Sequence, residues 1–259
     1  MEDTFTQIHE YLRAFSGKTD LLKNGKIKLG DYVDLAGLKV TGTGSGGEIN
    51  ETTNTPIDGG AHGYLLRIMV VGINSFNPQA NGRTNYAGGV TPAIPHIVMQ
   101  FQNIPGKRMI NITATAYEGS AMQTYLTGNF TDGLKLAGVP MSDGTIIWGP
   151  TREITNTAQN GTDPITDTLW LPTEWEMFNE NFESNGTYEK LANQAYLEYY
   201  TDPLTRIKYG KGGGTGAEYW EASPYRVSAA GCCNVDGNGI ATFGGLAASI
   251  GFAPAFCVK

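Results

Sequence analysis

Apolar residues recur along this chain at two spacings, and each predicts a kind of element. Phe5, Ile8, Leu12 and Phe15 fall at intervals of three and four, which places them on one face of a helix. Asp3 or Thr4 can cap its start and Gly17 its end. Such a face suits a helix packed on its own domain, and equally one that docks the chain on a larger assembly. Beyond it the apolar runs are strand-like. Residues 26–33, 64–73, 96–104 and 109–117 read as strands, the last two joined by a turn at Pro105-Gly106. Residues 145–148 and 168–171 read as short buried strands. Residues 120–129 look helical, Pro172, Thr173 and Glu174 open a second helix with a capped start, and 185–200 read as a third. Polar stretches rich in Gly, Thr and Asn separate these elements, at 41–63, around Asn77, Pro78, Asn81, Gly82 and Gly88, and at 210–216. Without an internal repeat or a clean linker, the pattern predicts one α+β domain over residues 26–259, with a helical appendage over 1–25.

Composition narrows the function classes. The chain has 259 residues, 40% hydrophobic and only 17% charged, with a net charge of −7. The charge argues against nucleic acid, whose phosphates need a basic stripe that the sequence does not show, and against anionic membrane surfaces. No apolar run approaches the length of a membrane span. The acidic, amphipathic N-terminus lacks a basic region followed by an apolar run, so the expectation is synthesis in a cytoplasm without an export signal. Cys232, Cys233 and Cys257 are odd in number and lack metal-ligand spacing, which predicts free thiols.

Candidate catalytic chemistry finds no anchor. His9, His62 and His96 have no partner nearby in sequence. Glu174, Glu176, Glu180 and Glu183 read as a solvated helix face. The run from Gly210 to Gly216 resembles a phosphate loop, but its lysine precedes the glycines, so it reads as a turn or hairpin loop. Asp236, Gly237, Asn238 and Gly239 lack the further ligands of a calcium loop and read as a hairpin turn. Cys232-Cys233 has only Arg226 nearby as a cationic neighbour, so structural thiols are expected. No metal site and no cofactor is expected.

The C-terminal segment carries the signal. Residues 222–258 contain no Lys, Glu, Gln, Met or Trp. These types fill 43 of the 259 positions, so a window of 37 would hold about six. Glu218, Trp220 and Glu221 stand just before the gap and Lys259 just after it. Tyr225, Phe243, Phe252 and Phe256, with apolar patches at 233–235 and 256–258, argue against a disordered tail.

Three motifs frame this segment: Tyr219-Trp220-Glu221-Ala222-Ser223-Pro224-Tyr225, Cys233-Asn234-Val235 with Gly237 and Gly239, and the terminal Gly251-Phe252-Ala253-Pro254-Ala255-Phe256-Cys257-Val258. Upstream stand Tyr117-Glu118-Gly119-Ser120 with Leu126, Leu169-Trp170-Leu171-Pro172-Thr173-Glu174, and Arg206-Ile207-Lys208-Tyr209. In these motifs the chain resembles the variable proteins of diversity-generating retroelements, which use a C-type lectin fold. The resemblance covers most of the chain after about residue 26. It implies that template adenines are miscopied into the gene's 3′ end. Asn codons of the AAY type then reach fifteen residue types, and the five excluded are the five missing here.

The resemblance implies a C-type-lectin-like domain with a variable region over about 222–258 that presents changeable residues on a rigid frame, the logic of antibody loops. The expected ligand-binding positions are Tyr225, Arg226, Val227, Ala229, Ala230, Gly231, Asp236, Asn238, Ile240, Thr242, Phe243, Gly244, Gly245, Leu246, Ile250 and Phe252. Tyr225, Arg226, Ile240, Phe243, Leu246 and Phe252 are the expected main contacts. Trp220, Pro224, Val235, Pro254 and Phe256 are the expected frame. No calcium-lectin ligand motif is present. The expected setting is a phage or prophage particle. There the chain is an adhesin that binds a host-cell surface receptor, protein or glycan. It sits among virion proteins as a homo-oligomer attached through the N-terminal helix, with no nucleic acid partner and no membrane insertion. A bacterial variable protein displayed by another route is the alternative. A relative of the formylglycine-generating enzymes, which share this architecture, needs reactive cysteines in a pocket.

Overall fold

The computed structural model describes residues 27–35, 38, 66–77, 94–112, 117–185, 188–189, 195–210 and 215–259. The appendage expected over 1–25 lies outside them, as do the loop at 41–63, residues 78–93 and the centre of the 210–216 loop. Among the described residues the chain forms two five-stranded sheets, one two-stranded hairpin and short helices, an α+β architecture. None of these helices is long and apolar enough to cross a membrane.

The core sheet has the order β1-β2-β3-β12-β5, from Tyr32–Leu35, Leu66–Ile73, Ile97–Phe101, Ala255–Val258 and Ile147–Trp148 respectively. β2 is apolar at six of its eight positions and buried at seven, as a strand covered on both faces requires. The last strand of the chain lies inside this sheet: Val258 pairs with Ile97 on one side and with Ile147 on the other.

The second sheet has the order β10-β9-β8-β11-β4. Its strands are Ala241–Gly245, Gly231–Val235, Tyr219–Pro224, Ile250–Phe252 and Gly106–Arg108. The register of β8 on β9 shifts between Trp220 and Pro224, a bulge that bends the sheet. β6 (Thr151–Thr155) and β7 (Thr162–Thr166) form the separate hairpin.

Local signals account for the helices. Ser120 accepts a hydrogen bond from the backbone N–H of Gln123 and caps α1 (Ala121–Tyr125). The chain then continues through one π-helical turn, Leu126–Phe130, into α2 (Thr131–Leu136). Thr173 and Glu176 form a capping box at the start of α3 (Glu174–Phe178). Asp202 caps α4 (Pro203–Arg206). The buried face of the α1–α2 segment sits where the sheets meet. Phe130 packs edge-on against Phe101 of β3 at 5.6 Å and Phe252 of β11 at 5.4 Å.

Several expected elements differ. In the 26–33 segment, Gly30 takes φ +88° in a turn, and the strand begins only at Tyr32. The 109–117 segment is not a strand where it is described. Ile110 and Asn111 both donate their N–H to the Leu246 carbonyl, which ends the ladder at Arg108. Residues 168–171 form no strand, only a bridge from Trp170 to Ala255. The 185–200 segment is helical at Tyr188 and Glu189 and not from Ala195 onward. There the N–H of Leu197 goes to Glu176 and that of Tyr199 to Val71, so tertiary partners take the donors that a helix would use.

Between β11 and β12 the chain passes directly from one sheet to the other through buried residues. A Cβ on Gly251 would lie 2.6 Å from the Glu218 carbonyl oxygen and 2.8 Å from Ile104, so this crossing requires glycine. Phe252, an expected ligand contact, is 0% exposed and packs on Tyr125 and Phe130. It is part of the core. Phe252→Ala is expected to cost about 3–5 kcal/mol of stability, read as a lowered urea midpoint.

Candidate functional site

The segment 222–258 places its exposed residues on two turns, on the edge strand β10 and on the β9–β10 hairpin tip. After β8, residues 225–230 form a turn closed by the Gly231 N–H on the Ser228 carbonyl and by the Tyr225 N–H on the Gly231 carbonyl. It is anchored from below: Arg226 donates its N–H to the Glu183 carbonyl, and the Gln159 amide donates to the Tyr225 carbonyl at 2.7 Å. Residues 226–230 are all exposed, Val227 at 74%. The second turn, residues 246–249, is tied to the first by the Leu246 N–H on the Ala230 carbonyl at 3.0 Å.

Beside these turns runs β10, at the edge of its sheet. Phe243 projects from it, 47% exposed. Its ring lies flat on Tyr225, with centroids 3.8 Å apart and planes at 5°. The backbone of Gly231 makes room for this stack, because a Cβ there would approach Tyr225 to 3.0 Å.

Tyr225, Arg226, Val227, Ala229, Ala230, Phe243 and Gly245 therefore share one end of the sheet. Asp236, Asn238 and Ile240 do not. They form the tip of the β9–β10 hairpin at the opposite end, about 13 Å away at 3.3 Å per strand residue. The expected hairpin turn is present there: the Asp236 carboxylate accepts from the N–H groups of Asn238 and Ile240.

Three expected contacts are not on the surface. Phe252 is in the core, Leu246 is 4% exposed with its side chain turned inward, and Gly231 is buried under Tyr225. Thr242, Gly244 and Ile250 are half-buried. A Cβ on Gly244 would stand 3.1 Å from both Trp220 and Asn234, so that position faces inward. Ser228, Ala247, Ala248 and Ser249 are exposed in the same two turns, although the expectation omitted them. Their membership in a turn was the available signal.

Beneath this surface lies a buried polar layer. Glu174 and Glu176, expected on a solvated face, are buried, while Glu180 is exposed. The capping box turns Glu176 back onto its own N-cap, where it also pairs with the buried Arg152 at 3.2 Å. Glu174 accepts from the N–H groups of Glu183 and Ser184. Glu189 accepts from Thr155, Asn181 and Ser223, and burial pushes its carboxyl up to about 7. Glu221 is also fully buried, and burial, with Glu174 and Glu189 beside it, raises its carboxyl well above the usual range. The three cysteines are buried and free, and burial pushes each thiol up, in keeping with the expected structural thiols. His96 is buried, with ring nitrogens on the Phe76 N–H and the Ile94 carbonyl.

Lys208 is buried too. Its ammonium lies 5.5 and 5.4 Å from the ring centres of Tyr200 and Tyr219, and burial lowers it from 10.5 to about 7. Between those values the unfolded chain binds a proton that the folded chain does not, so stability rises with pH across the window. Below it both states are protonated and the full burial cost remains. The slope approaches about 1.4 kcal/mol per pH unit. In Lys208→Met this contribution disappears: urea unfolding across the window is expected to show a flatter profile and higher stability at its acid end. By contrast, Tyr225→Ala and Phe243→Ala are each expected to change stability by no more than about 1.5 kcal/mol, as read by the same unfolding measurement.

Comparison with known proteins finds no match among curated proteins and none among solved structures. A family model does match, covering residues 98–259. This span holds the hairpin, the C-terminal strands, both turns and the polar layer, and it exceeds half of the chain. The chain therefore belongs to the DUF6273 family, described as a domain of unknown function.

Proposed function

We propose that this chain is a ligand-binding protein of the C-type lectin fold whose C-terminal surface is diversified by retroelement mutagenesis. It acts as a phage-displayed adhesin for a host-cell receptor. One observation carries this reading. The stretch that lacks Lys, Glu, Gln, Met and Trp runs from the end of β8 to β12, with Trp220, Val235 and Phe256 buried in its frame and six of its small residues, Ser228, Ala229, Ala230, Ala247, Ala248 and Ser249, exposed on two joined turns. Replacing an exposed turn residue leaves the hydrogen bonds of that turn intact where they are made by the backbone. The buried, backbone-bonded thiols favour this reading over cysteine oxidation chemistry.

The exposed surface sets the binding style. The Tyr225–Phe243 stack and Val227 offer apolar contact area, with Arg226 beside them. The rest is Ala, Gly and Ser. Such a surface binds modestly at each site, and useful attachment comes from several copies acting together. The homo-oligomer and the virion attachment assigned to residues 1–25 belong to this proposal.

Sequencing the coding segment for residues 222–258 from related isolates tests it. Changes are expected to concentrate at Tyr225, Arg226, Val227, Ala229, Ala230, Asn238, Ile240, Phe243 and Gly245, with the five types still absent and Phe252 and Phe256 constant. Changes spread evenly over the segment, or none at those positions, would overturn the reading.

A further inference from the structure

The acidic layer beneath the sheet plays no part in contacts at the exposed turns. Glu174 at the first turn of α3, Glu221 in β8 and Cys233 in β9 converge there. One ligand atom from each lies within 4.8 Å of the others, and all three residues are buried. The hydrogen-bonding neighbours of Glu174 are donors, the N–H groups of Glu183 and Ser184 and the Ser184 hydroxyl. Glu189 is likewise saturated by Thr155, Asn181 and Ser223. Glu221 differs. It is fully buried, and neither carboxylate oxygen has a hydrogen-bond partner. The nearby guanidinium groups are engaged elsewhere: Arg152 pairs with Glu176, and Arg206 donates to the carbonyls of Gly239 and Tyr200. A buried carboxylate among other carboxylates, with no donor, is costly unless a proton or a cation neutralises it.

We propose that Glu174, Glu221 and Cys233 form a buried site for a divalent transition metal, with zinc the best match. Two carboxylate oxygens and one sulfur suit a borderline-soft ion, whereas magnesium and calcium take oxygen ligands. A tetrahedral zinc shell sets such donors about 3.5 Å apart, and the three ligand atoms already lie within 4.8 Å of one another. The metal displaces the Cys233 thiol proton, and the proton on Glu221 if present, to solvent. The N–H groups and hydroxyl on Glu174 orient that carboxylate from outside the site. Bound metal joins α3 to β8 and β9 and so braces the frame from which the 225–230 turn projects. This inference stands independently of what the surface binds.

The full chain, unfolded with chelator and refolded with or without zinc chloride, tests the site. One equivalent of zinc per chain is expected to remain after dialysis and to raise the melting temperature, with no such rise from calcium or magnesium chloride. Refolding with cobalt chloride is expected to give the near-ultraviolet thiolate-to-metal charge-transfer band. Glu221→Gln and Cys233→Ser are each expected to weaken zinc binding at least tenfold, whereas Glu180→Gln leaves it unchanged. Failure of the wild-type chain to retain zinc, a cobalt complex without the thiolate band, or zinc binding unaltered in a folded Glu221→Gln or Cys233→Ser variant would overturn the proposal.

Discussion

The passage from Gly251 to Ala255 joins the two sheets, and the positions of the other parts follow from it. In five residues the chain leaves the surface sheet and enters the core sheet. The Gln100 amide grips the Ala253 carbonyl at 2.7 Å, and the Phe101 N–H donates to Pro254. Gly251 permits the close approach to Glu218, while Phe252 fills the space between β11 and the α1–α2 segment. β12 can then pair with β3 and β5 in the middle of its sheet. The 225–230 and 246–249 turns are held between β8 and this passage, both of which are buried.

This arrangement separates two kinds of residue that lie side by side in sequence. On β10, Phe243 points outward and Gly244 faces Trp220. The backbone bonds of the 225–230 and 246–249 turns go to other backbone groups, except where the Gln159 side chain and the Ser228 hydroxyl assist. The Ser228 hydroxyl aside, the side chains at 226–230 and 247–249 make none of these bonds and are exposed, whereas Leu246 is buried. The polar layer below is the opposite case. Most of its carboxylates are tied to named donors in α3, β6, β8 and the 181–184 segment, so little there can change without leaving a buried group unpaired.

The core also carries groups whose charge is suppressed by burial. Lys208 rests between tyrosine rings and donates to Tyr200, which in turn bonds Gln100. That chain of contacts runs from α4 and its following strand-like segment to the sheet crossing at Ala253. The cost of burying Lys208 is therefore borne next to the same passage that positions the turns.

What the sequence by itself determined is whatever depends on neighbours a few residues away. The start of α1 at Ser120, the Thr173 cap of α3 and the Asp236 turn are each closed by bonds that span at most four residues, so residue type and spacing sufficed, although the expectation did not include the return bond from Glu176. The segment 222–258 was also legible as distinct, because a missing set of residue types needs no structure to be seen. The tertiary structure alone decided which side chains of that segment face water. Phe243 and Phe252 are alike in type and setting, yet one stacks on Tyr225 at the surface and the other is sealed by Phe130, more than a hundred residues away. Glu176 and Glu180 differ in the same way, since Arg152 reaches only the first. Burial is set by partners distant in sequence, and no local pattern of residue types carries that information.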